Sequence, residues 1–168
     1  MKRLLALLTV VAAAAGTTVG TVTPVSAAVL ATRTVTLSQN DAGRFLDAHE
    51  IEERDWNVVT RPFQNDSTQR WVLTDLGTGE FTLRQVSSGR YLDAHEVASQ
   101  FYRVVTRPAQ GDATQRWRLW SYGGGFYELQ QVSSGRYLDA SLSSAQDFRA
   151  TTQPRSSGST QIWRIADV

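Results

Sequence analysis

The chain contains no cysteine. That absence excludes disulfides, thiolate nucleophiles and cysteine-based zinc sites together. Histidine is nearly as scarce, with only His49 and His95. Lys2 is the sole lysine, so every other base is arginine. Neither sign of charge is in excess, since 17 basic residues face 16 acidic ones. A chain this close to neutral lacks the basic footprint of a nucleic-acid binder. It also offers no polybasic stretch to a membrane surface. No nucleic-acid partner and no membrane insertion are therefore implied. No segment holds a sustained 3.6-residue apolar period with caps, so helices are not expected.

What is present begins with a leader. Met1-Lys2-Arg3 is a short positive start, Leu4 to Ala15 is apolar, and Val25-Ser26-Ala27 offers small residues for cleavage. That order is expected of a secretory signal peptide over residues 1–28. The apolar run is too short for a bilayer span with these flanks. Cleavage after Ala27 or Ala28 would leave a secreted, extracellular chain from about Val29 to Val168, with 15 bases against 16 acids. A chain of that length can bury a core. Five Trp, five Tyr and six Phe supply the bulk for it.

The body of the sequence is a threefold repeat with a gap-free period of 46 residues. Gly43, Gly89 and Gly135 superpose, followed by Arg44, Arg90 and Arg136. Leu46-Asp47, Leu92-Asp93 and Leu138-Asp139 come next. Further along lie Trp56, Tyr102 and Phe148, then Thr60, Thr106 and Thr152, then Pro62, Pro108 and Pro154. Each unit closes on Gln69-x-Trp71, Gln115-x-Trp117 or Gln161-x-Trp163. Within a unit the apolar residues alternate, as in Val35-Thr36-Leu37, Phe81-Thr82-Leu83 and Tyr127-Glu128-Leu129. A second strand is expected over Phe45 to Ala48, a third from Trp56 to Arg61 ending at Pro62, and a fourth over Gln69 to Leu73. Four strands per unit give twelve. A unit of about 46 residues buries too little surface to fold alone, so the three must share one core about a pseudo-threefold axis. Closing them into a barrel removes the exposed sheet edges. The units run over about 34–79, 80–125 and 126–168.

Strand alternation assigns faces. Leu46 and Ala48 take the core, which turns Asp47 and His49 the other way. Val58 and Thr60 take the core on the next strand, which turns Val59 and Arg61 outward. If the two strands pair, Asp47, His49, Val59 and Arg61 line one shallow pocket. Asp93, His95, Val105 and Arg107 line its copy. A carboxylate accepts from two neighbouring hydroxyls and a guanidinium donates in a fixed fork, a chemistry that suits sugars. The third unit keeps Asp139 but has Ser141-Leu142 in place of His-Glu and Gln153 in place of the arginine before proline. Features retained in all three units are expected to be scaffold. Those lost once are expected to be binding, so the working sites should lie in units one and two. Gln69, Trp71, Gln115, Trp117, Gln161 and Trp163 are expected to be structural. Each Trp would sit in the core, and each Gln amide would tie a hairpin to the backbone.

Three units of this length, each ending in Gln-x-Trp after a Leu-Asp hairpin, resemble the ricin-B lectin family. The likeness covers about Thr34 to Ile165. The run GRYLDA…VVTRP…TQRW is also similar to actinohivin-like bacterial lectins. The resemblance implies an all-β β-trefoil, a carbohydrate partner and a sugar contact at Asp47, Asp93 and Asp139, while the arginine-only bases beyond Lys2 and the alanine-rich leader suit a bacterial source. The sequence departs from both patterns. Ricin-like galactose sites carry an aromatic platform just before the proline, where Arg61, Arg107 and Gln153 stand here. The family's Asn before Gln-x-Trp is Thr68, Thr114 or Thr160. Actinohivin-like sites place Asn at His49 and His95 and Tyr at Val59 and Val105. The arginines in the platform position point to an acidic or highly hydroxylated glycan.

Catalytic and metal chemistry find no foothold. The acidic run from Asp47 to Asp55 lacks the second His of a zincin and the glycine of an EF-hand loop, so it reads as a solvated turn. A carboxylate pair can cleave glycosides at about 5 to 10 Å separation, but nothing marks one pair above the others. No catalytic residue, metal or cofactor is implied, and a monomer is expected. The competing reading is a trefoil used as a protein-binding or inhibitor module, because a fold does not settle function.

Overall fold

Alternating apolar positions produce twelve short strands in the computed structural model, which describes residues 31–168. The expected leader over 1–28 lies outside those residues. Unit one contributes β1 (Thr32–Gln39), β2 (Phe45–Ala48), β3 (Val58–Arg61) and β4 (Trp71–Asp75). Unit two contributes β5 (Glu80–Gln85), β6 (Tyr91–Ala94), β7 (Val104–Arg107) and β8 (Trp117–Gly123). Unit three contributes β9 (Phe126–Gln131), β10 (Tyr137–Ala140), β11 (Ala150–Gln153) and β12 (Trp163–Asp167). Among the described residues no helix is long and apolar enough to cross a membrane.

The first and last strands of the units close a barrel. β1 pairs antiparallel with β4, β4 with β5, β5 with β8, β8 with β9, β9 with β12, and β12 with β1. No barrel strand is left with an open edge. The middle strands form three hairpins, β2–β3, β6–β7 and β10–β11. This is a β-trefoil.

Inside the barrel the alternation holds. Leu37, Leu46, Trp71, Leu83, Leu92, Trp117, Leu129, Leu138 and Trp163 are all fully buried in one cluster. Each repeat tryptophan also donates its indole N–H to the carbonyl of the Leu in its own hairpin. Trp71 binds Leu46 O, Trp117 binds Leu92 O and Trp163 binds Leu138 O, each at 3.1 Å. One side chain thus fills the core and satisfies a buried backbone acceptor.

The hairpins lean on one another in a ring. Thr60 N donates to Phe148 O of unit three at 3.0 Å, Thr106 N to Trp56 O of unit one at 3.0 Å, and Thr152 N to Tyr102 O of unit two at 2.8 Å. The third strand therefore starts at Val58 and not at Trp56. Trp56, Tyr102 and Phe148 stand in the left-handed region with φ of 52°, 51° and 48°. That bend turns each carbonyl toward the next unit. Their rings lie under arginines of the following unit: Arg44 over Phe148 at 3.6 Å, Arg90 over Trp56 at 3.9 Å and Arg136 over Tyr102 at 3.7 Å. The same arginines donate to the carbonyls of Thr60, Thr106 and Thr152. The repeat's Arg, aromatic and Thr positions thus form one inter-unit clamp used three times.

Candidate functional site

The face of each hairpin opposite the core carries the aspartates. Asp47 opposes Val59 and Asp93 opposes Val105, with Asp139 opposite Thr151. Asp47 Oδ1 accepts from Ala48 N and Asp93 Oδ1 from Ala94 N, both at 2.7 Å. The Gln of Gln-x-Trp reaches the other carboxylate oxygen in two units. Gln115 Nε2 donates to Asp93 Oδ2 at 3.3 Å, and Gln161 Nε2 to Asp139 Oδ2 at 3.2 Å. Each Gln also closes the loop after its proline. Gln69 Nε2 donates to Pro62 O at 2.8 Å while Gln69 Oε1 accepts from Gln64 N at 2.9 Å, and the other two units repeat this. These glutamines close short 3-10 turns instead of opening the fourth strand as expected, because the chain must turn after the proline loop before entering the barrel.

Asp47 and Asp93 are only 3% and 4% exposed. Burial pushes both carboxyls above the usual aspartate range, against the pull of the Ala48 and Ala94 amides. Asp139 is less deeply set, at intermediate burial.

Hollows open over Asp47 and Asp139, the first and the third; at the equivalent second position His95 and Arg107 stand beside Asp93, and at each of the three a residue of the preceding unit approaches. The first, about 340 Å³, is lined by Asp47, His49, Glu50, Arg61, Gln64 and Thr68, among others. Its His49 Nε2 lies 2.8 Å from Asp147 Oδ2 of unit three, which also accepts from Arg54 Nη1 at 3.1 Å. Arg61 Nη2 sits 3.4 Å from both ring nitrogens of His49, and Arg61 Nε is 3.8 Å from Asp47 Oδ2. Desolvation works upward on the Asp147 carboxyl. The His49 hydrogen bond and the charges of His49, Arg61 and Arg54 outweigh it and hold the group below its usual range. The second unit repeats the network. His95 Nε2 lies 2.7 Å from Asp55 Oδ2 of unit one, and Arg103 and Arg107 approach the same carboxylate at 3.4 and 3.5 Å.

The third hollow is different. It is about 470 Å³ and is lined by Asp139, Ser141, Gln146, Arg149, Thr151 and Gln153 of unit three, with Ala98, Phe101 and Tyr102 of unit two. Phe101 stands where Asp55 and Asp147 stand in the other units, and the residue is 64% exposed.

A profile of the ricin-type β-trefoil lectin domain matches residues 33–163. The chain belongs to the ricin-type β-trefoil lectin family. Solved structures agree on the fold. A designed threefold-symmetric protein, ThreeFoil, is 30% identical with a TM-score of 0.72, the match covering 80% of this chain and 99% of that one. The Macrolepiota procera ricin B-like lectin in complex with lactose is 21% identical with a TM-score of 0.66, over 81% of this chain and 96% of the lectin. An exo-β-1,3-galactanase from Clostridium thermocellum matches at 21% identity and TM-score 0.70, over 81% of this chain but 30% of the enzyme. No curated protein matches.

Within this ricin-type trefoil the nine residues singled out from sequence are placed as follows. Asp47, His49 and Arg61 meet at the first hollow. Asp93, His95 and Arg107 occupy the equivalent positions of unit two, where His95 and Arg107 share the Asp55 network. Asp139 is at the third hollow. Val59 and Val105 do not line a solvent-facing pocket. Both are 1% exposed, sealed where the hairpins bridge: Val59 opposes Arg149, and Val105 opposes Asn57. The face turned from the core is a second, smaller interior between hairpins, which is also why Asp47 and Asp93 are buried rather than outward. The acidic run ending at Asp55 is not merely a solvated turn, since its last carboxylate reaches His95.

Sequence reasoning missed Asp55, Asp147, Arg54, Arg103 and Phe101. The period aligns Asp55, Phe101 and Asp147, so their variation was visible. Their partners lie in a different unit at non-equivalent positions, which alignment by period does not pair. It also missed Gln39, Gln85 and Gln131, all buried, whose amides donate to Thr160 O, Thr68 O and Thr114 O of the preceding unit.

Proposed function

We propose that this chain is a secreted, monomeric, non-catalytic carbohydrate-binding module that holds glycans at the aspartate-floored hollows of its hairpins. The observation that carries the reading is the recurrence of one arrangement. A carboxylate is fixed by a backbone amide or the repeat glutamine, sits at the base of an open hollow, and is ringed by hydroxyl, amide and guanidinium groups. Such a set accepts and donates at the spacing of neighbouring sugar hydroxyls. Family membership supports the same partner class, and the lactose complex of the Macrolepiota procera lectin is a related trefoil with a bound disaccharide. Each hollow is shallow, so single-site affinity falls near the millimolar range, about 4 kcal/mol. Several hollows on one chain raise retention on a polysaccharide without new contacts.

The test is retention of the purified mature chain on immobilised polysaccharides, with reducing-sugar release measured in parallel. Retention without release supports the reading. Release of reducing ends would make the chain an enzyme. Failure to bind any glycan on a broad array would overturn the proposal. Export is tested separately, by recovery of a chain starting near Val29 from the culture medium.

A further inference from the structure

Among the equivalent positions at which the three units differ around these hollows, four changes converge on one of them. Where hollows one and two have His49 and His95, hollow three has Ser141. Val59 and Val105 become Thr151, and Arg61 and Arg107 become Gln153. The fourth change lies in another unit: Asp147 and Asp55 become Phe101. In unit-by-unit comparison these look like unrelated losses in units two and three. In space they remake a single surface.

The consequences follow from contacts. In hollow one the groups able to bind hydroxyls are already engaged with one another: His49 with Asp147 at 2.8 Å, and Arg61 with His49 at 3.4 Å. In hollow two His95 is held by Asp55 at 2.7 Å and Arg107 reaches that carboxylate at 3.5 Å. A sugar entering either must displace charge-assisted bonds before forming its own. Hollow three carries no such network. Its polar rim is the neutral Ser141, Thr151 and Gln153, whose side chains make only uncharged bonds: Gln153 Nε2 donates to Thr151 Oγ1 and Ser143 N to Ser141 Oγ, each at 3.1 Å. Its floor is the more accessible carboxylate, Asp139, oriented by Gln161. Its far wall is an exposed phenyl ring with the guanidinium of Arg149 5.5 Å from the ring centre.

Resting on the carbohydrate-binding reading, we infer that the third hollow is the principal sugar site, that its ligand is a neutral pyranose, and that Phe101 of unit two provides the stacking face. The pyranose presents two adjacent hydroxyls to Asp139 and its apolar face to Phe101, while Ser141, Thr151 and Gln153 bond the remaining edge. One Asp and one Arg leave the hollow electrically balanced, so it offers no net charge to an acidic sugar. This reverses both the expected unit preference and the expected acidic ligand. The arginines behind that expectation are spent inside the protein.

The experiment measures retention of the full mature chain on columns of neutral galactan, mannan and xylan and of acidic polygalacturonate. The variants are Asp139→Asn, Phe101→Ala, Phe101→Trp and the double variant Asp47→Asn/Asp93→Asn. A neutral column is expected to retain the wild type, and the double variant, which keeps the third hollow, is expected to lose far less retention than Asp139→Asn. Asp139→Asn should weaken retention about tenfold or more, Phe101→Ala about fivefold, and Phe101→Trp should preserve it. Phe101 is exposed, so its variants test the site without threatening the fold, and unchanged thermal transitions verify this for Asp139→Asn. Loss of retention in the Asp47/Asp93 double variant with full retention in Asp139→Asn overturns this inference and leaves the lectin reading standing. Preferential binding to polygalacturonate overturns the assignment of a neutral ligand. No retention of the wild type on any column overturns both readings.

Discussion

Ala42 offers a test of how faithfully the threefold repeat transfers energy as well as shape. In units two and three the buried Gln85 and Gln131 are fully used. Their amide nitrogens bind the preceding unit, and their Oε1 atoms accept from Ser88 Oγ at 2.6 Å and Ser134 Oγ at 2.7 Å. In unit one the equivalent Gln39 is 1% exposed and its Oε1 has no partner, because the position of the serine is held by Ala42. The turn itself is the same in all three units: Gly43 N to Gln39 O at 2.9 Å, Gly89 N to Gln85 O at 3.0 Å, and Gly135 N to Gln131 O at 2.9 Å. A serine hydroxyl at position 42 therefore falls where its counterparts already bond. Ala42 is exposed, so the hydroxyl is not desolvated by being introduced. Satisfying one buried acceptor contributes about 1 kcal/mol net. Serine is also favoured over alanine in such turns. For a domain of this size 1 kcal/mol corresponds to about 3 °C in Tm. Calorimetric melts of Ala42→Ser should rise by that amount, and Ser88→Ala and Ser134→Ala should fall by at least as much. If the serine-to-alanine variants fall while Ala42→Ser does not rise, the hydrogen bond does not transfer by symmetry. If none of the three moves, the bond contributes nothing and the reasoning fails.

Other expectations concern the aspartates, the core and the sites. Asp47 and Asp93 have folded-state pKa values above the ordinary 3.8, so the folded chain holds those protons more tightly than the unfolded chain. Their contribution to stability is therefore fully present below 3.8 and lost as pH rises through the raised values. The stability of the wild type relative to Asp47→Asn/Asp93→Asn, from urea titrations, should decline from acid to neutral pH; a rise would refute the burial argument. Trp117→Phe removes the indole donor to Leu92 O and leaves that buried carbonyl unpaired. It should cost about 2 to 4 kcal/mol in denaturant unfolding, and a loss below about 1 kcal/mol would mean the bond and the packing had been replaced. Rebuilding hollow one toward hollow three takes His49→Ser, Val59→Thr, Arg61→Gln and Asp147→Phe, together with Arg54→Gln and Asn57→Arg to match Gln146 and Arg149, with the Asp147 change the decisive one. Asp147→Phe is compatible with the backbone, since φ is 52° at Asp147 and 56° at Phe101. Calorimetric titration with a sugar that binds the wild type should then show one additional equivalent site; unchanged stoichiometry would mean that these positions do not define the site.

Much of the architecture was legible because it depends on local pattern. The period of 46 places equivalent residues in register without a gap. Alternation then assigns Leu37, Leu46, Trp71 and their counterparts to one side, which is where the barrel interior lies. The structural role of Gln-x-Trp also follows from residue type, since a buried amide and a buried indole N–H need partners. Strand ends were less legible. Trp56 looked continuous with Val58 in alternation, yet it takes a left-handed bend so that its carbonyl can reach Thr106 N. Nothing in a run of local residues reports a partner in the next unit.

The candidate sites divide along the same line. Residue chemistry and strand phase were enough to single out the aspartate on each hairpin and the group before each proline. Tertiary structure alone decided what stands opposite them. His49 meets Asp147 and His95 meets Asp55, while Asp139 shares its hollow with Phe101. Internal periodicity matches like with like, whereas a ring of three lobes joins unlike positions at each seam. The outward face of a hairpin became a sealed interior at Val59 and an open hollow at Asp139 only once its neighbour was in place. Burial is a property of the assembled ring, and no single repeat contains it.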